Sequence, residues 1–236
     1  MVPMNNQSRN IFIITATRYN LDDFYGKSAL GRSLVESYYD NQRLKILVAL
    51  ENRAGLPAIY NSVIRETESE DDSIFLFIHD DIHLIDFFWA EKLDQALDQF
   101  GIVGIIGNLR RLPGQTSWAF VDAQGTWDDT ENLSGTIGHG EAFPCQVNRF
   151  GPAPKECKLL DGLMMAVRRR TLVEHGLLFD ECFDFHFYDL DFCRQAEVMG
   201  VTMGTAAINV IHQSYGNYSS DSWRTSYAKY LKKWGD

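Results

Sequence analysis

The stretch Ile74-Phe75-Leu76-Phe77-Ile78-His79-Asp80-Asp81 decides the fold, because five apolar residues lead directly into three polar ones. A short, continuous apolar run of this kind is typical of a strand buried on both faces of a parallel sheet. In open α/β sheets, ligands bind beyond the carboxyl ends of the strands. The stretch therefore predicts a buried strand that ends at a ligand-binding site.

Runs typical of strands alternate with segments of helical periodicity on both sides of this stretch. The additional predicted strands cover residues 11–17, 44–50, 102–107, 159–167 and 201–211. The predicted helices cover residues 30–39, 57–67, 87–100, 171–175, 189–199 and 222–234. Pro57 suits the first turn of its helix, and Gly200 suits a C-terminal cap. The alternation predicts a single α/β domain with a doubly wound, mainly parallel sheet flanked by helices.

The composition limits the classes of protein to which the chain can belong. Its 236 residues, 45% of them hydrophobic, suit one globular domain with a substantial core. The formal net charge is −10 without a sustained basic patch, so no nucleic-acid partner is expected. No apolar run is long enough to span a membrane, and residues 1–10 lack a signal-peptide pattern. Four cysteines without a CxxC pair suggest reduced thiols in a cytoplasmic protein.

The segment His79-Asp80-Asp81-Ile82-His83 places two carboxylates between two imidazoles at a strand end. Charged groups beside a buried strand are costly without a cation or a partner. Carboxylate oxygens suit Mg²⁺ or Mn²⁺, and imidazole shifts the preference toward Mn²⁺. The segment therefore predicts a divalent-metal site. The alternative is an acidic loop in which an Asp caps the following helix.

Two later segments carry groups of related chemistry. Within residues 187–194, Asp189 and Asp191 stand at the start of a predicted helix. Negative charge is favoured there by the helix dipole, yet one carboxylate could also be the general base for an attacking hydroxyl. Within residues 211–216, His212 follows a strand. It could complete a metal site, although a lone histidine in such a position is more often structural.

Taken in order, these segments resemble the motifs of the family 2-like glycosyltransferases, which have the GT-A fold. Residues 77–81 stand where that family has its Asp-x-Asp motif, and residues 210–212 match its late histidine. Residues 188–194 match its Glu-Asp-x-Asp-Leu-x-x-Arg segment. The resemblance extends over residues 11–218. This chain departs from the pattern where His79 replaces the first Asp and Tyr188 replaces the Glu.

The resemblance implies roles for individual residues. Asp81 and His212 would bind the metal, with His83 as a further ligand because residues 81–83 also resemble an Asp-x-His variant. Asp189 would be the catalytic base, with Asp191 beside it in the catalytic segment. The residues expected to bind the nucleotide-sugar are Thr15, Thr17, Arg18, Tyr19, Glu51, Asn61, His79, Asp80 and Asp161.

The resemblance also implies the domain organisation. Residues 1–218 would form a GT-A-like catalytic domain, with a nucleotide-binding half at about 10–107 and an acceptor-side half at about 108–218. Residues 219–236 would form a C-terminal helix. The aromatic and basic residues of this helix suit packing against the domain or peripheral contact with a membrane.

The implied reaction is metal-dependent, inverting transfer of a sugar from a nucleoside diphosphate-sugar to an acceptor hydroxyl. The acceptor would be a carbohydrate, a lipid-linked molecule or a protein, and Trp118 or Trp127 would contact it unless both pack in the core. One alternative is a non-catalytic sugar-binding module on a degenerate GT-A fold. Another is a nucleotidyltransferase, but the expected glycine-rich phosphate loop is missing, since residues 15–20 contain no glycine.

Overall fold

Two β-sheets with flanking helices form the part of the chain that this computed structural model describes, residues 9–36, 42–214, 216, 218 and 220–235. The strands are β1 (Ile11–Ala16), β2 (Leu44–Ala49), β3 (Ile74–Ile78), β4 (Ile82–Leu84), β5 (Ile102–Gly104), β6 (Ile106–Asn108), β7 (Leu133–His139), β8 (Gln146–Gly151), β9 (Glu156–Cys157), β10 (Leu159–Leu160), β11 (Met164–Arg168), β12 (Met203–Thr205) and β13 (Val210–His212). The helices are α1 (Leu21–Lys27), α2 (Ala29–Glu36), α3 (Leu56–Glu66), α4 (Trp89–Leu97), α5 (Arg169–His175), α6 (Tyr188–Val198) and α7 (Asp221–Trp234).

The larger sheet has the order β2-β1-β3-β11-β5-β12-β9, so β3 lies near its centre. Among the described residues, β1 pairs in parallel with β2 and β3, and β5 with β12, while the other three pairings are antiparallel. The predicted α/β class is confirmed, but the sheet is mixed rather than mainly parallel. An apolar strand pattern is the same in either direction, so the sequence did not reveal that β11 is reversed.

Three predicted strands are each divided between two sheets. Residues 102–107 form β5 and β6, residues 159–167 form β10 and β11, and residues 201–211 form β12 and part of β13. In each case one half belongs to the larger sheet and the other to the smaller sheet, whose order is β10-β6-β7-β13-β4. The break between β5 and β6 is the single buried residue Ile105, so the apolar run continues through it and hides it. The other two breaks contain Asp161-Gly162 and Asn209, which are the only polar interruptions of those runs at the breaks.

The helices agree better with the sequence. Pro57 lies in the first turn of α3, and Gly200 follows α6 with φ of +74°, as expected of a C-terminal cap. The helix predicted at 87–100 is shorter, since Phe87 and Phe88 precede α4 and are exposed. The helix predicted at 30–39 is observed as α2, and residues 37–39, with Tyr38, lie outside the described residues.

Strand β3 is buried along its whole length and delivers the polar segment to one edge of the sheet. Its last residue, Ile78, pairs with Met164 at the start of β11. The amide of His79 then donates to the carbonyl of Leu163, at 3.0 Å. This pairing places the end of β3 directly beside the turn at residues 161–163.

Helix α7 packs its aromatic face on the domain. The rings of Trp223, Tyr227 and Tyr230 surround Phe187 at centroid distances of 5.4 Å. The guanidinium of Arg194 lies 4.6 Å from the ring centre of Trp234. The aromatic residues proposed for membrane contact are therefore engaged within the protein. No helix in the described ranges is long and apolar enough to cross a membrane.

Asp191, predicted as a catalytic residue, ties α7 to α6 in the structure. Its side chain is fully buried and accepts hydrogen bonds from Trp234 Nε1 at 2.8 Å and Gln195 Nε2 at 2.8 Å. It also pairs with Lys233 Nζ at 2.7 Å. The carboxylate thus faces the C-terminal helix rather than a ligand cavity.

We expect Asp191→Ala to lower the free energy of unfolding by about 1–3 kcal/mol, because it removes the buried carboxylate that accepts from Trp234 and Gln195 and pairs with Lys233. Urea unfolding followed by circular dichroism measures this change. The matched control is Asp71→Ala, which removes an exposed ion pair with Arg169 and should change stability by no more than about 0.5 kcal/mol. Equal effects of the two substitutions would contradict the role given to Asp191.

Candidate active site

A cluster of His79, Asp81 and His212 forms where β3 ends. His79 and Asp81 follow β3 directly, whereas His212 comes from the end of β13, more than 130 residues later in the chain. Strand β13 pairs antiparallel with β4, and His212 is the direct partner of Ile82. The amide of Gln213 then donates to the carbonyl of Asp81 at 3.0 Å, so the two segments stay side by side beyond the strands and His212 lies next to Asp81.

The three side chains have the geometry of an incomplete metal site. His212 Nε2 lies 3.2 Å from Asp81 Oδ2, and His79 Nδ1 lies 4.0 Å from Asp81 Oδ1. One ligand atom from each residue lies within 4.8 Å of the others. Asp81 Oδ1 is buried and accepts no hydrogen bond from the described residues. Since ligands of one ion at about 2.1 Å are at most about 4.2 Å apart, a small contraction would let all three bind a cation.

The ionisation of the cluster also suits a cation. Burial opposes ionisation of Asp81, but the hydrogen bond and charge of His212 outweigh it and lower the pKa of Asp81 to about 2. Burial also disfavours the charged form of His212, yet the bond to Asp81 raises its pKa. Asp81 thus favours the protonated form of His212, and a metal ion bound by His212 would displace that proton.

The peptide group of Gly162 links this cluster to Asp189. Its N–H donates to Asp189 Oδ2 at 3.0 Å, and its carbonyl accepts from the Tyr188 hydroxyl at 2.9 Å. The same hydroxyl lies 2.8 Å from His79 Nε2. Phe187, just before these residues, has φ of +67°, an unusual value for a bulky side chain that is consistent with strain at a functional site. The turn that contains Gly162 thus connects the cluster at the end of β3 with the start of α6.

Asp189 has the properties of a proton acceptor. Burial, followed by the charge of Asp161, raises the pKa of Asp189 to about 7. Two hydrogen bonds oppose this change, from the N–H groups of Leu190 and Gly162. Such a carboxylate can hold and release a proton near neutral pH, which is the requirement for a general base.

Asp189 and the cluster line the same cavity, of about 260 Å³. Its other wall is aromatic and includes Trp118, Phe120, Trp127, Phe150 and Tyr218. The rings of Trp127 and Phe150 are stacked at 5.7 Å, and Trp127 is 54% exposed. Trp118 is only 5% exposed, so core packing explains it better. A cavity with carboxylates on one side and flat apolar rings on the other can hold a neutral, polyhydroxylated ligand.

A smaller cavity, of about 130 Å³, adjoins the larger one. The two share His79, Asp81 and Phe185, and the smaller one also contains Asp80 and Ala16 at the end of β1. Burial raises the pKa of Asp80, which a hydrogen bond with Thr17 partly opposes. The cluster therefore lies between a cavity on the β1 side and a cavity on the α6 side.

The loops after β1 and β2 are joined beside this smaller cavity. The amide of Glu51 donates to the carbonyl of Tyr19 at 2.9 Å, and that of Asn52 donates to the carbonyl of Thr17 at 2.8 Å. Arg18 and Glu51 are exposed there. The residues predicted to bind a nucleotide thus reach the expected edge of the sheet, but Arg18, Tyr19 and Glu51 do not line either cavity.

Two further residues predicted to bind the nucleotide-sugar, Thr15 and Asn61, are buried and do not line either cavity. Thr15 lies inside β1 and is fully buried. Asn61 is buried in α3, where its amide nitrogen donates to the carbonyl of Phe179 and to Glu181 Oε1, and its oxygen accepts from the Phe179 amide. These bonds use the polar atoms of Asn61 to anchor the loop before α6.

His83, predicted as a further metal ligand, does not belong to the cluster of His79, Asp81 and His212. Its Nε2 lies 3.2 Å from Glu36 Oε2 on α2. His83 follows Ile82 on β4, and successive side chains of a strand point to opposite faces. Because Ile82 pairs with His212, His83 must face away from it.

The sequence of this chain is matched by the model of the Glycosyltransferase like family over residues 43–234, which is most of its length. The chain belongs to this family. It is a family 2-like glycosyltransferase with a GT-A fold, as its motifs suggested. No curated protein matches it in sequence.

One solved structure, that of GalNAc-T7, agrees with the fold of this glycosyltransferase, and two others match it more weakly. GalNAc-T7, in a crystal structure with UDP, GalNAc and Mn²⁺, is 11% identical with a TM-score of 0.56, over 96% of this chain and 49% of that one. S. aureus TarS (residues 1–349) is 12% identical with a TM-score of 0.47, over 86% of this chain and 60% of that one. A197 from STIV is 10% identical with a TM-score of 0.47, over 89% and 97%. The chain thus spans about half the length of the first structure.

Several site residues of this glycosyltransferase were not assigned a role from the sequence. Phe185 stacks on the His79 ring at 5.7 Å, and Ser214 Oγ lies 3.0 Å from His212 Nε2. His139 has its ring 5.9 Å from that of His212. His79 itself was predicted to bind the nucleotide-sugar, whereas the structure includes it in the cluster. The sequence did contain a signal for this role. His79 stands two residues before Asp81, and side chains two residues apart can reach the same site.

We expect Gly162→Ala to lower the free energy of unfolding by about 1–3 kcal/mol, because a Cβ there would overlap the hydroxyl of Tyr188 and lie 2.9 Å from Asp189 Cβ. Urea unfolding is the measurement. Gly26→Ala in α1 is the matched control, since no atom lies within 4 Å of its added Cβ. That helix substitution should leave stability unchanged or raise it by up to about 1 kcal/mol. An unaltered Gly162→Ala protein would argue against the packing of Tyr188 on Gly162.

Proposed function

We propose that this glycosyltransferase transfers a sugar from a nucleoside diphosphate-sugar to an acceptor hydroxyl, with inversion at the anomeric carbon and Asp189 as the general base. The observation that carries the proposal is the shared cavity, in which Asp189, with its raised pKa, faces the His79, Asp81 and His212 cluster. In the proposed reaction Asp189 takes the proton of the acceptor hydroxyl as its oxygen attacks the anomeric carbon. No covalent intermediate with the protein is needed.

Asp81, His212 and His79 would hold a divalent cation at the mouth of this cavity. Two imidazoles and one carboxylate suit Mn²⁺ better than Mg²⁺. When bound, such an ion would neutralise the negative charge of the departing diphosphate. Among the described residues, no lysine or arginine lines the cavity, so the protein itself supplies little positive charge there. The GalNAc-T7 structure, which contains UDP and Mn²⁺, makes these the first ligands to test.

A carbohydrate acceptor suits the aromatic wall. Trp127 offers a half-exposed indole in a cavity that contains Asp161 and Asp189. Flat rings suit the apolar faces of sugars, while carboxylates can accept hydrogen bonds from their hydroxyls. The same wall would serve the sugar part of a lipid-linked acceptor or of a glycosylated protein.

A non-catalytic sugar-binding module is the second candidate, favoured by the replacement of two motif carboxylates by His79 and Tyr188. Incubation with a panel of UDP-, GDP- and TDP-sugars and Mn²⁺ separates the two candidates. An enzyme should release nucleotide slowly even without an acceptor, since water can replace the attacking hydroxyl. Binding without any release would support the module.

We expect Asp189→Asn to lower kcat by about 100- to 10 000-fold, because an amide cannot accept the proton of the acceptor. Binding of UDP in the presence of Mn²⁺, measured by calorimetry, should be unchanged. In the wild-type enzyme, kcat should fall below about pH 7, since the pKa of Asp189 is raised to about 7 and protonation removes the base.

Asp161→Asn sharpens this test. The charge of Asp161 raises the pKa of Asp189, so its removal should shift the acidic limb of the pH–rate profile to lower pH. Wild-type turnover by Asp189→Asn, or an acidic limb that does not move in Asp161→Asn, would exclude Asp189 as the base.

We expect Asp81→Ala and His212→Ala to abolish Mn²⁺ binding and to weaken UDP binding that depends on Mn²⁺. Each removes one of the clustered ligands. Isothermal titration of Mn²⁺, first alone and then with UDP, measures both effects. His83→Ala is the matched control because this histidine pairs with Glu36 and should leave Mn²⁺ affinity unchanged. Loss of affinity in His83→Ala, or its retention in Asp81→Ala, would move the metal site elsewhere.

A further inference from the structure

We propose that Tyr188 is a positioning residue that fixes the tautomer of His79 and so presents the lone pair of His79 Nδ1 to the metal site. This inference rests on the metal site of the proposed function and adds a residue to it. Tyr188 stands outside the cluster and would not touch the ion. It would act through the hydrogen bond of 2.8 Å between its hydroxyl and His79 Nε2.

The direction of this hydrogen bond follows from the second partner of Tyr188. The hydroxyl carries one proton, and it lies 2.9 Å from the carbonyl oxygen of Gly162, which can only accept. The proton of Tyr188 is therefore used toward Gly162. The remaining bond to His79 must be donated by the imidazole, so Nε2 carries the hydrogen.

A neutral imidazole with its proton on Nε2 has its lone pair on Nδ1. In His79 this is the atom on the side of Asp81, 4.0 Å from Asp81 Oδ1. A histidine binds a metal ion as the neutral imidazole, so the atom that carries the lone pair decides which nitrogen can be the ligand. Histidine ligands of metals usually donate their other N–H group to a protein oxygen, which orients the ring and raises its basicity.

The surroundings leave the pair little freedom. Tyr188 is 2% exposed, and the ring of Phe185 stacks on His79 at an angle of 28°. The backbone of Gly162 can approach the Tyr188 hydroxyl only because residue 162 has no Cβ. Both the hydroxyl and the imidazole are thus held in place before any ion binds.

The pair also accounts for two departures from the family pattern at once. His79 stands at the first Asp of the Asp-x-Asp motif, and Tyr188 stands at the Glu of the later motif, 109 residues away in sequence. In the structure these two residues are hydrogen-bonded to each other. An imidazole that replaces a carboxylate needs an acceptor for its second nitrogen, and the tyrosine oxygen supplies it.

The first test is the tautomer of His79 in the metal-free protein. Long-range ¹H–¹⁵N correlation spectra separate the two tautomers, with His79 assigned by its loss in His79→Gln. We expect the wild-type ring to carry its proton on Nε2 and Tyr188→Phe to give a mixture. A wild-type proton on Nδ1 would overturn the proposal, whether or not the variant folds.

The second test is a double-mutant cycle on Mn²⁺ affinity, measured by calorimetry without nucleotide or acceptor. Tyr188→Phe should weaken Mn²⁺ binding by about 10- to 100-fold. In a His79→Ala background, the same substitution should cost no more than about twofold, because its effect passes through His79. An equal loss in both backgrounds would show that Tyr188 acts by another route.

Tyr227→Phe is the matched control. It removes a tyrosine hydroxyl that donates to the carbonyl of Gly114 at 2.8 Å and is not hydrogen-bonded to Tyr188 or His79. Its Mn²⁺ affinity should equal that of the wild type, and a loss similar to that of Tyr188→Phe would overturn the proposal. Since neither readout requires sugar transfer, the tautomer and the cycle can succeed even if the proposed reaction is wrong.

Discussion

The hydrogen-bonded peptide of Gly162 is the constraint on which the active site depends. Its N–H orients Asp189, and its carbonyl orients Tyr188, which in turn holds His79. The turn that contains this peptide is fixed by the start of β11, whose pairing with β3 places Leu163 against His79. A shift of this turn would therefore move the proposed base and the metal cluster together, so their relative position is determined by one short segment.

The distribution of charge in the site suits a bound cation. Three carboxylates, Asp81, Asp161 and Asp189, face one cavity. Asp81 is kept ionised by His212, while the pKa of Asp189 is raised by burial and by Asp161. Environments that separate the pKa values of neighbouring carboxylates allow them to take different roles. One carboxylate is then a permanent anion for a metal, and the other can exchange a proton.

The C-terminal helix contributes to the same region from outside. Its aromatic residues enclose Phe187, the residue with positive φ that precedes Tyr188 and Asp189. In its last turn, Lys233 forms an ion pair with Asp191 and the indole N–H of Trp234 donates a hydrogen bond to the same carboxylate. The packing of α7 thereby stabilises a strained backbone at the start of α6, which local sequence preferences alone would disfavour.

The sequence by itself determined the buried strand β3 and its end at a polar segment, and it singled out Asp81, Asp189 and His212, which line one cavity in the structure. These follow from local patterns, since an apolar run that stops at charged residues is typical of a buried strand whose end reaches a polar site. Asn61 and Asp191 carried the same kind of polar signal, and only the structure revealed that their side chains are hydrogen-bonded away from this cavity.

The tertiary structure alone decided which histidines join Asp81. His83 lies closer in sequence than His212, but the alternation of side chains along β4 turns it toward Glu36. The pairing of β13 with β4 brings His212 to Asp81 instead, and the contact with Tyr188 orients His79. Strand pairing and side-chain contacts between distant segments leave no periodic trace in a single sequence, which is why these partners became visible only in the folded chain.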